Sequence, residues 1–265
     1  MESIKRVFFG FEVKAPWPGE LPSGRILDPA HRHMTLAFLG NVDISGLLSN
    51  LENFPPPPFA VGLTGIFDEC LFLPLKHPHV VAWRVKWQEK ELALQGYQEI
   101  FSAWLQTQGF KLDERKFLSH VTLCREPFKV KEWEKAFHLL PMYIEKLHLY
   151  ESVGNLRYEP LWSYPLLPPF KEIEHTADIA FEIIGDSFAQ LFQHALMALS
   201  FKYLHFLPYA GKEYSFQDID DIIMKLNELV SEVDARFGCP FKAVSFHGDI
   251  QEEQKLLKWE MIVDV

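Results

Sequence analysis

Two near-identical tetrapeptides recur 87 residues apart in this chain of 265 residues. The first runs from His33 to Leu36 and the second from His120 to Leu123, and both read His-x-Thr-Leu within apolar, β-rich sequence. Successive side chains of a strand alternate between its two faces, so the histidine and the threonine of each copy point to the same face. The repeat therefore predicts two strands that lie side by side and present two imidazoles and two hydroxyls to one cavity.

The residue types of this repeat suit acid–base chemistry on a phosphate ester. Imidazole is the side chain whose proton exchanges near neutral pH, so His33 and His120 can act together as a general base and a general acid. The hydroxyls of Thr35 and Thr122 can donate hydrogen bonds to the non-bridging oxygens of a phosphate. The constellation predicts metal-free phosphoester chemistry.

The composition is that of an ordinary soluble globular protein, with 48% hydrophobic and 23% charged residues. There is no run of 18 or more apolar residues, and residues 1–6 lack the layout of a signal peptide. The cysteines Cys70, Cys124 and Cys239 are scattered without metal-ligand spacing, which fits free thiols in a reducing compartment. We therefore expect a cytoplasmic protein that does not associate with membranes.

Charge and proline content divide the chain in two. Residues 1–168 contain 18 Lys and Arg against 19 Asp and Glu, whereas residues 169–265 contain 8 against 17. The segment Pro-Leu-Leu-Pro-Pro at 165–169 lies where this balance changes and is typical of a linker. We predict one domain over residues 1–166 and a smaller one over residues 170–265. Because the second is acidic, any binding of nucleic acid would fall to the first.

Hydrophobic periodicity predicts an α+β fold in both parts. The first part reads as two related halves, each with one motif strand. Its predicted strands lie at 6–13, 33–39, 59–67, 80–85, 119–124, 143–150 and 157–164, and its predicted helices at 89–105 and 130–137. The second part has predicted strands at 179–184, 241–246 and 257–265, one helix that begins after a cap at Asp186 or Ser187 and ends near 204, and another at 216–233.

The paired motifs resemble those of the two-histidine phosphoesterases, the LigT-like family of RNA 2′,3′-cyclic phosphodiesterases. Phe38-Leu39-Gly40 after the first motif, Arg125 after the second and the later Tyr158-x-x-Leu161 also look like that family, so the resemblance covers residues 1–166. It implies a bilobal, duplicated α+β fold with the catalytic cleft between the lobes.

The resemblance also implies roles for single residues. One of His33 and His120 would deprotonate the attacking water and the other would protonate the departing 3′ oxygen, which leaves a 2′-phosphate; the assignment of base and acid stays open. Thr35 and Thr122 would bind phosphate oxygens. Arg125 would either help to bind the phosphate or form an ordinary salt bridge at the strand end. His31 could also line the cleft, although a solvated loop histidine is the favoured interpretation.

The second part resembles archease, the small activator of the GTP-dependent RNA ligase. The resemblance rests on Glu174-His175-Thr176-Ala177-Asp178-Ile179, on Phe241-Lys242-Ala243-Val244 and on the acidic ending Ile262-Val263-Asp264-Val265. It implies metal-binding carboxylates at Asp178 and Asp264 for Ca²⁺ or Mg²⁺, and contacts with a partner at Lys242 and His175. Because strands that the family has before the Lys-Ala segment are missing here, the predicted domain is a shortened one.

Two functions of different classes follow. The first is an enzyme without a cofactor, which hydrolyses RNA 2′,3′-cyclic phosphate ends in RNA repair or tRNA processing. The second is an adaptor that activates an RNA ligase through the archease-like part, while the first part only binds RNA ends. A 2′-phosphate product would remove the end that the ligase joins, so two active domains would compete for it.

Overall fold

The computed structural model describes residues 4–88, 91–112 and 116–265. The chain forms two compact units, of which the first ends at Leu166 and the second spans Leu167–Val265. Among the described residues, no helix is both long enough and apolar enough to span a membrane.

The first unit is built on a barrel-like antiparallel sheet. Its strands are β1 (Ile4–Lys14), β2 (Arg25–Ile26), β3 (His33–Asp43), β4 (Thr64–Leu73), β5 (Val80–Trp87), β6 (His120–Arg125), β7 (Leu140–Gly154) and β8 (Arg157–Pro165). The spatial order is β1-β3-β6-β5-β4-β7-β8, with β2 beside β6, and β1 also pairs with β7. Six strands therefore close into a ring, which leaves few unpaired edges.

The ring consists of two groups of strands that meet at short contacts. The group β1-β3-β7-β8 contains the first motif strand, and the group β2-β6-β5-β4 contains the second. The two groups join where β3 meets β6 through one register pair and where β4 meets β7 through four. Each group thus contributes one motif strand to the junction.

In the described part of the unit, three α-helices accompany this sheet: α1 (Ser45–Asn50), α2 (Glu91–Thr107) and α3 (Val130–Ala136). Helix α2 buries Leu94, Tyr97, Phe101 and Leu105, which recur at helical spacing and form its apolar stripe. The ring of Phe101 meets that of Phe9 edge-on at 4.9 Å between centroids. This packing covers the face of β1 that points away from the motif histidines.

The predicted strand at 59–67 is wrong in its first half, because β4 begins only at Thr64. Phe59, Val61 and Leu63 are buried, and Val61 forms only an isolated bridge. The apolar pattern therefore reports burial here, since a short apolar run does not by itself distinguish a strand from a packed loop. Helix α1 and strand β2 have no counterpart among the predicted elements, because both are too short to show periodicity.

The second unit is a four-stranded antiparallel sheet with two helices. Its elements are β9 (Phe170–Ile173), β10 (Ile179–Gly185), α4 (Phe188–Lys202), α5 (Ile219–Phe237), β11 (Ala243–Glu253) and β12 (Leu256–Asp264), and the strand order is β11-β12-β10-β9. The Ser187 side chain caps α4 by accepting from the backbone N–H of Gln190, and Asp218 caps α5 in the same way. Strand β9 is the element that the sequence pattern did not predict.

Candidate active site

The two motif strands meet at a single antiparallel register pair, Met34 opposite Val121. Both side chains are fully buried, as are Leu36 and Leu123 two residues further along their strands. Full burial of each such side chain contributes about 1.5–3 kcal/mol to folding. The apolar members of both tetrapeptides therefore fix which face of each strand points into the core.

The histidines and threonines of both motifs share the opposite face of the sheet. One step to either side of the antiparallel pair sets His33 across from Thr122 and Thr35 across from His120. The four side chains therefore lie on one face around this pair, related by local two-fold symmetry, and the charge of His120 acts on the pKa of His33.

Backbone carbonyls hold both imidazoles in the same tautomer. Nδ1 of His33 lies 2.8 Å from the carbonyl oxygen of His31, and Nδ1 of His120 lies 2.7 Å from that of Leu118. A carbonyl oxygen can only accept, so Nδ1 carries the proton in each neutral ring. Nε2 is then the basic nitrogen of both histidines, and it is the atom available for proton transfer.

Burial favours the neutral form of both imidazoles. His33 is 9% exposed, and burial lowers its pKa to about 4, with the charges of His120 and Arg125 acting in the same direction. Burial also lowers the pKa of His120. Arg125, at the end of β6, thus lies within electrostatic reach of the site, where a cation suits an anionic substrate.

Three aromatic rings surround the imidazole of His33. Their centroids lie 4.6 Å (Phe8), 5.4 Å (Tyr150) and 4.7 Å (Tyr158) from it. These rings produce the burial that lowers the pKa. Sequence reasoning noted Tyr158 but missed Phe8 and Tyr150. The available signal was strand alternation, which places Phe8 on the face opposite the buried Phe9.

His31 belongs to this cluster, so its interpretation as a solvated loop histidine is wrong. It is half-buried, its ring packs edge-on against Tyr158, and its backbone carbonyl accepts the hydrogen bond from Nδ1 of His33. The 3-10 turn Pro29–His31, capped by the Asp28 side chain, folds the residue over the site.

The loop before His33 is anchored to the second motif strand. The backbone N–H of Leu27 donates to the carbonyl of Leu123 at 2.8 Å. Nε of the buried Arg32 donates to the carbonyl of Leu27 at 3.1 Å, and its guanidinium lies over the ring of Trp17 at 4.6 Å. These contacts hold the His31 carbonyl, and therefore the His33 imidazole, in place relative to β6.

Gly10 allows β1 to approach β3 closely beside Thr35. It lies opposite Thr35 in the β1–β3 ladder. A Cβ at this position would stand 2.9 Å from the carbonyl oxygen of Met34 and 3.4 Å from the ring of Phe8. The first distance is too short for any side chain, so the close approach of β1 to β3 requires glycine here.

A β-bulge brings Phe38 onto the face that carries the motif histidines. Gly10 pairs with Thr35 but Phe9 pairs with Ala37, so Leu36 is the extra residue of β3. The bulge reverses the alternation, and Phe38 therefore faces the same side as Thr35 and lies opposite Phe8. Phe38 is 44% exposed, and the guanidinium carbon of Arg6 lies 5.0 Å from its ring.

In the second unit, Asp178 directly precedes β10 and Asp264 ends β12, and the register of these strands makes the two residues neighbours. Nζ of Lys242 lies 3.7 Å from the carboxylate of Asp264, and Nδ1 of His175 lies 3.8 Å from that of Asp178. The four residues that the archease resemblance singles out therefore lie at the same end of this sheet.

Among the described residues, few ligands surround the Ca²⁺ or Mg²⁺ site predicted at Asp178 and Asp264. Across residues 4–88, 91–112 and 116–265, no three or more His, Cys, Asp or Glu side chains are grouped so as to hold a metal ion. Ca²⁺ takes six to eight oxygen ligands. Two carboxylates with an ammonium group beside one of them fall short of that set, so the metal site at Asp178 and Asp264 stays a prediction.

Among known proteins, this chain is similar to several solved structures. No family model matches the sequence, and no curated protein matches it. A structure described as a crystal structure of phosphoesterase is 21% identical, with a TM-score of 0.44, over 62% of this chain and 99% of the other. E. coli LigT complexed with 3′-AMP is 22% identical, with a TM-score of 0.44, over 62% and 98%. The Thermus thermophilus protein TT0787 is 18% identical, with a TM-score of 0.44, over 61% and 97%.

Proposed function

We propose that the first unit hydrolyses RNA 2′,3′-cyclic phosphate ends to 2′-phosphates, with His33 and His120 as its acid–base pair and without a metal ion. One observation carries the proposal. The two imidazoles lie on one face at the junction of the motif strands, and each keeps Nδ1 on a carbonyl and Nε2 available. Two such groups beside two hydroxyls match the needs of phosphodiester hydrolysis.

His33 is the base of the proposed reaction and His120 the acid. With its pKa near 4, His33 stays neutral and can take a proton from the attacking water through Nε2. His120 is less deeply buried, so the charge of a bound phosphate anion more readily favours its protonated form, with the proton taken from solvent. It then donates from Nε2 to the 3′ oxygen as the P–O3′ bond breaks, and the phosphate stays on the 2′ oxygen.

The symmetry of the site suits an in-line displacement. Water must enter opposite the leaving oxygen, so base and acid have to lie on opposite sides of the phosphorus. The local two-fold relation of the motifs about Met34 and Val121 supports an arrangement with one imidazole on each side. The hydroxyls of Thr35 and Thr122 then donate to the non-bridging oxygens, where charge builds up in the transition state, and Arg125 adds a positive charge.

The exposed ring of Phe38 supports a nucleoside as the group that carries the phosphate. Stacking of one base on an aromatic side chain contributes about 1–3 kcal/mol and tolerates any base. Arg6 beside the ring can add a cation–π contact. A pair of this kind favours an RNA end over a small cyclic phosphate without a base.

Product analysis tests the proposal. An RNA oligonucleotide with a 2′,3′-cyclic phosphate end is incubated with the full chain in excess chelator, and the product is separated as 2′- or 3′-phosphate. We expect turnover in chelator and a 2′-phosphate only. A 3′-phosphate product, or activity that disappears with chelator and returns with Mg²⁺, would contradict the proposed chemistry.

For the second unit we propose a separate role as an activator of a GTP-dependent RNA ligase, in line with its archease-like sequence. The convergence of Asp178, Asp264, Lys242 and His175 at one sheet end supports this assignment. Added full chain should raise the ligation rate of a cognate ligase, and Asp178→Ala should remove the increase. No stimulation at saturating protein would rule the role out.

A further inference from the structure

A second buried histidine lies on the catalytic face, outside the phosphodiester site. His148 of β7 is 7% exposed and lies between Gly10 of β1 and Ser163 of β8 in the strand register. Gly10 is in turn opposite Thr35, so Ser163 and Thr35 are three strands apart along one row of the sheet. At about 4.8 Å per strand they are about 14 Å apart. The hydroxyl of Ser163 therefore lies outside the phosphodiester site, although Glu12 is opposite His33 in the β1–β3 register.

A hydrogen bond joins Ser163 to His148, and a charge contact joins His148 to Glu12. Nδ1 of His148 lies 2.7 Å from Oγ of Ser163, and its Nε2 lies 3.5 Å from a carboxylate oxygen of Glu12. The ionised carboxylate beside Nε2 favours the tautomer of the neutral ring in which Nε2 carries the proton. The lone pair is then on Nδ1, and the hydroxyl of Ser163 donates to it.

The carboxylate of Glu12 is held in its charged form. Its interaction with His148 outweighs the opposing effect of burial and, together with the ammonium of Lys14, lowers the pKa of Glu12 to about 2. Lys146 adds a second ammonium 3.6 Å away. Glu12 is therefore ionised at all working pH values and can stabilise a positive charge on the imidazole.

Within this group of three residues, the serine is exposed and the histidine is shielded, as a nucleophile and its base require. Ser163 is on the solvent-accessible surface of β8, whereas His148 is shielded by Ser163, Glu12 and the ring of Tyr150, whose centroid is 4.8 Å away. A reagent can thus reach the hydroxyl while the base keeps a fixed orientation. A nucleophile within hydrogen-bond reach of a base that a third group orients is the arrangement of activated serines in general.

We propose that Ser163 is a nucleophilic serine, with His148 as its base and Glu12 as the orienting carboxylate, and that it accepts acyl groups from carboxylic esters. The bond between Oγ and the acyl carbon forms as the ester C–O bond breaks. The hydroxyl proton passes to Nδ1 of His148 and from there to the departing alcohol oxygen. Water activated by the same nitrogen then releases the acid and restores the serine.

Covalent labelling of the full chain tests the proposal. Diisopropyl fluorophosphate forms a bond between Oγ and phosphorus while fluoride leaves, and peptide mass spectrometry locates the adduct. We expect one adduct, on Ser163, none in Ser163→Ala, and an unchanged rate in the control Ser49→Ala, which alters an exposed serine of α1. His148→Gln should slow labelling about 100-fold or more, as loss of a general base does.

Two further variants separate this site from folding and from the phosphodiesterase. Glu12→Gln keeps the shape of the side chain and should slow labelling, so it replaces His148→Gln if that variant fails to fold. His33→Ala should lose RNA hydrolysis and still label at the normal rate, which distinguishes failure of one site from failure of the other. No adduct on Ser163, or an equal rate without both His148 and Glu12, would overturn the proposal.

Discussion

His33 and His120 hold the same position in their strands and the same tautomer, yet they differ in their surroundings. Phe8, Tyr150 and Tyr158 enclose His33, whereas His120 has no ring contact of this kind among the described residues. Near-identical tetrapeptides thus have unlike surroundings, because the rings around His33 come from other strands. For this reason, the repeat alone does not show which histidine is the base and which is the acid.

The low pKa of His33 has a consequence for stability. Its pKa is about 4 in the folded chain and about 6.5 when unfolded, so between these values the unfolded chain binds more protons and stability falls as the pH falls. From pH 7.5 to 5, wild type should lose about 2 kcal/mol more free energy of unfolding than His33→Gln does. Urea unfolding of both proteins at the two pH values measures this difference. Equal losses of unfolding free energy in the two proteins would contradict the burial of His33.

The threonine hydroxyls can be tested by removing them without changing shape. A hydrogen bond to a charged group contributes about 1.5–3 kcal/mol, so Thr35→Val and Thr122→Val should each lower kcat/KM on cyclic-ended RNA by about 10- to 150-fold. Thr107→Val, at the end of α2, is the matched control and should leave the rate unchanged. Wild-type kcat/KM in both motif variants would mean that the hydroxyls do not contact the phosphate.

At the level of strands, regular alternation predicts the face on which the motif residues lie, whereas an irregularity of β3 determines the position of Phe38. The period of two correctly puts His33 and Thr35 on one face. The same period would send Phe38 to the other face, and only the bulge at Leu36 brings it back. A bulge has no signature in a single sequence, because it depends on how the neighbouring strand pairs.

Gly10 lies where β1 approaches β3 closely, beside the proposed catalytic residues. Gly10→Ala would place a Cβ 2.9 Å from a backbone oxygen of β3. We expect a loss of about 1–3 kcal/mol in the free energy of unfolding from the forced shift, and a lower kcat because Thr35 moves with β3. Gly19→Ala, where nothing lies within 4 Å, serves as the control. Thermal unfolding and RNA hydrolysis check both variants; equal behaviour of the two would contradict this account.

Most elements were predictable because their patterns are local. The stripe of α2 and the serine cap of α4 lie within one segment of sequence. The predicted strand at 59–67 is wrong in its first half because distant residues bury Phe59, and a buried loop gives the same apolar pattern as a strand. The interpretation of His31 as a solvated histidine is wrong for a similar reason, because Tyr158, which buries it, is 127 residues away.

For the whole molecule, the two compact units differ in charge as well as in fold. All of the proposed phosphodiesterase residues lie before Leu166, and their core is formed within the first unit. A chain that ends at Leu166 should therefore fold and keep the kcat of the full chain on cyclic-ended RNA. Single-turnover rates of the two chains check this, and a loss of more than about 10-fold, which is about 1.4 kcal/mol, would show that the second unit contributes to catalysis.

The central claim is that two histidines from different strand groups share the work of acid and base. The most direct measurement is the single-turnover rate on RNA with a 2′,3′-cyclic phosphate end for wild type, His33→Ala, His120→Ala and the surface control His138→Gln, all in excess chelator. Each motif variant should lose about 10²- to 10⁴-fold, while the control keeps the wild-type rate. A motif variant that retains the wild-type rate would contradict the claim.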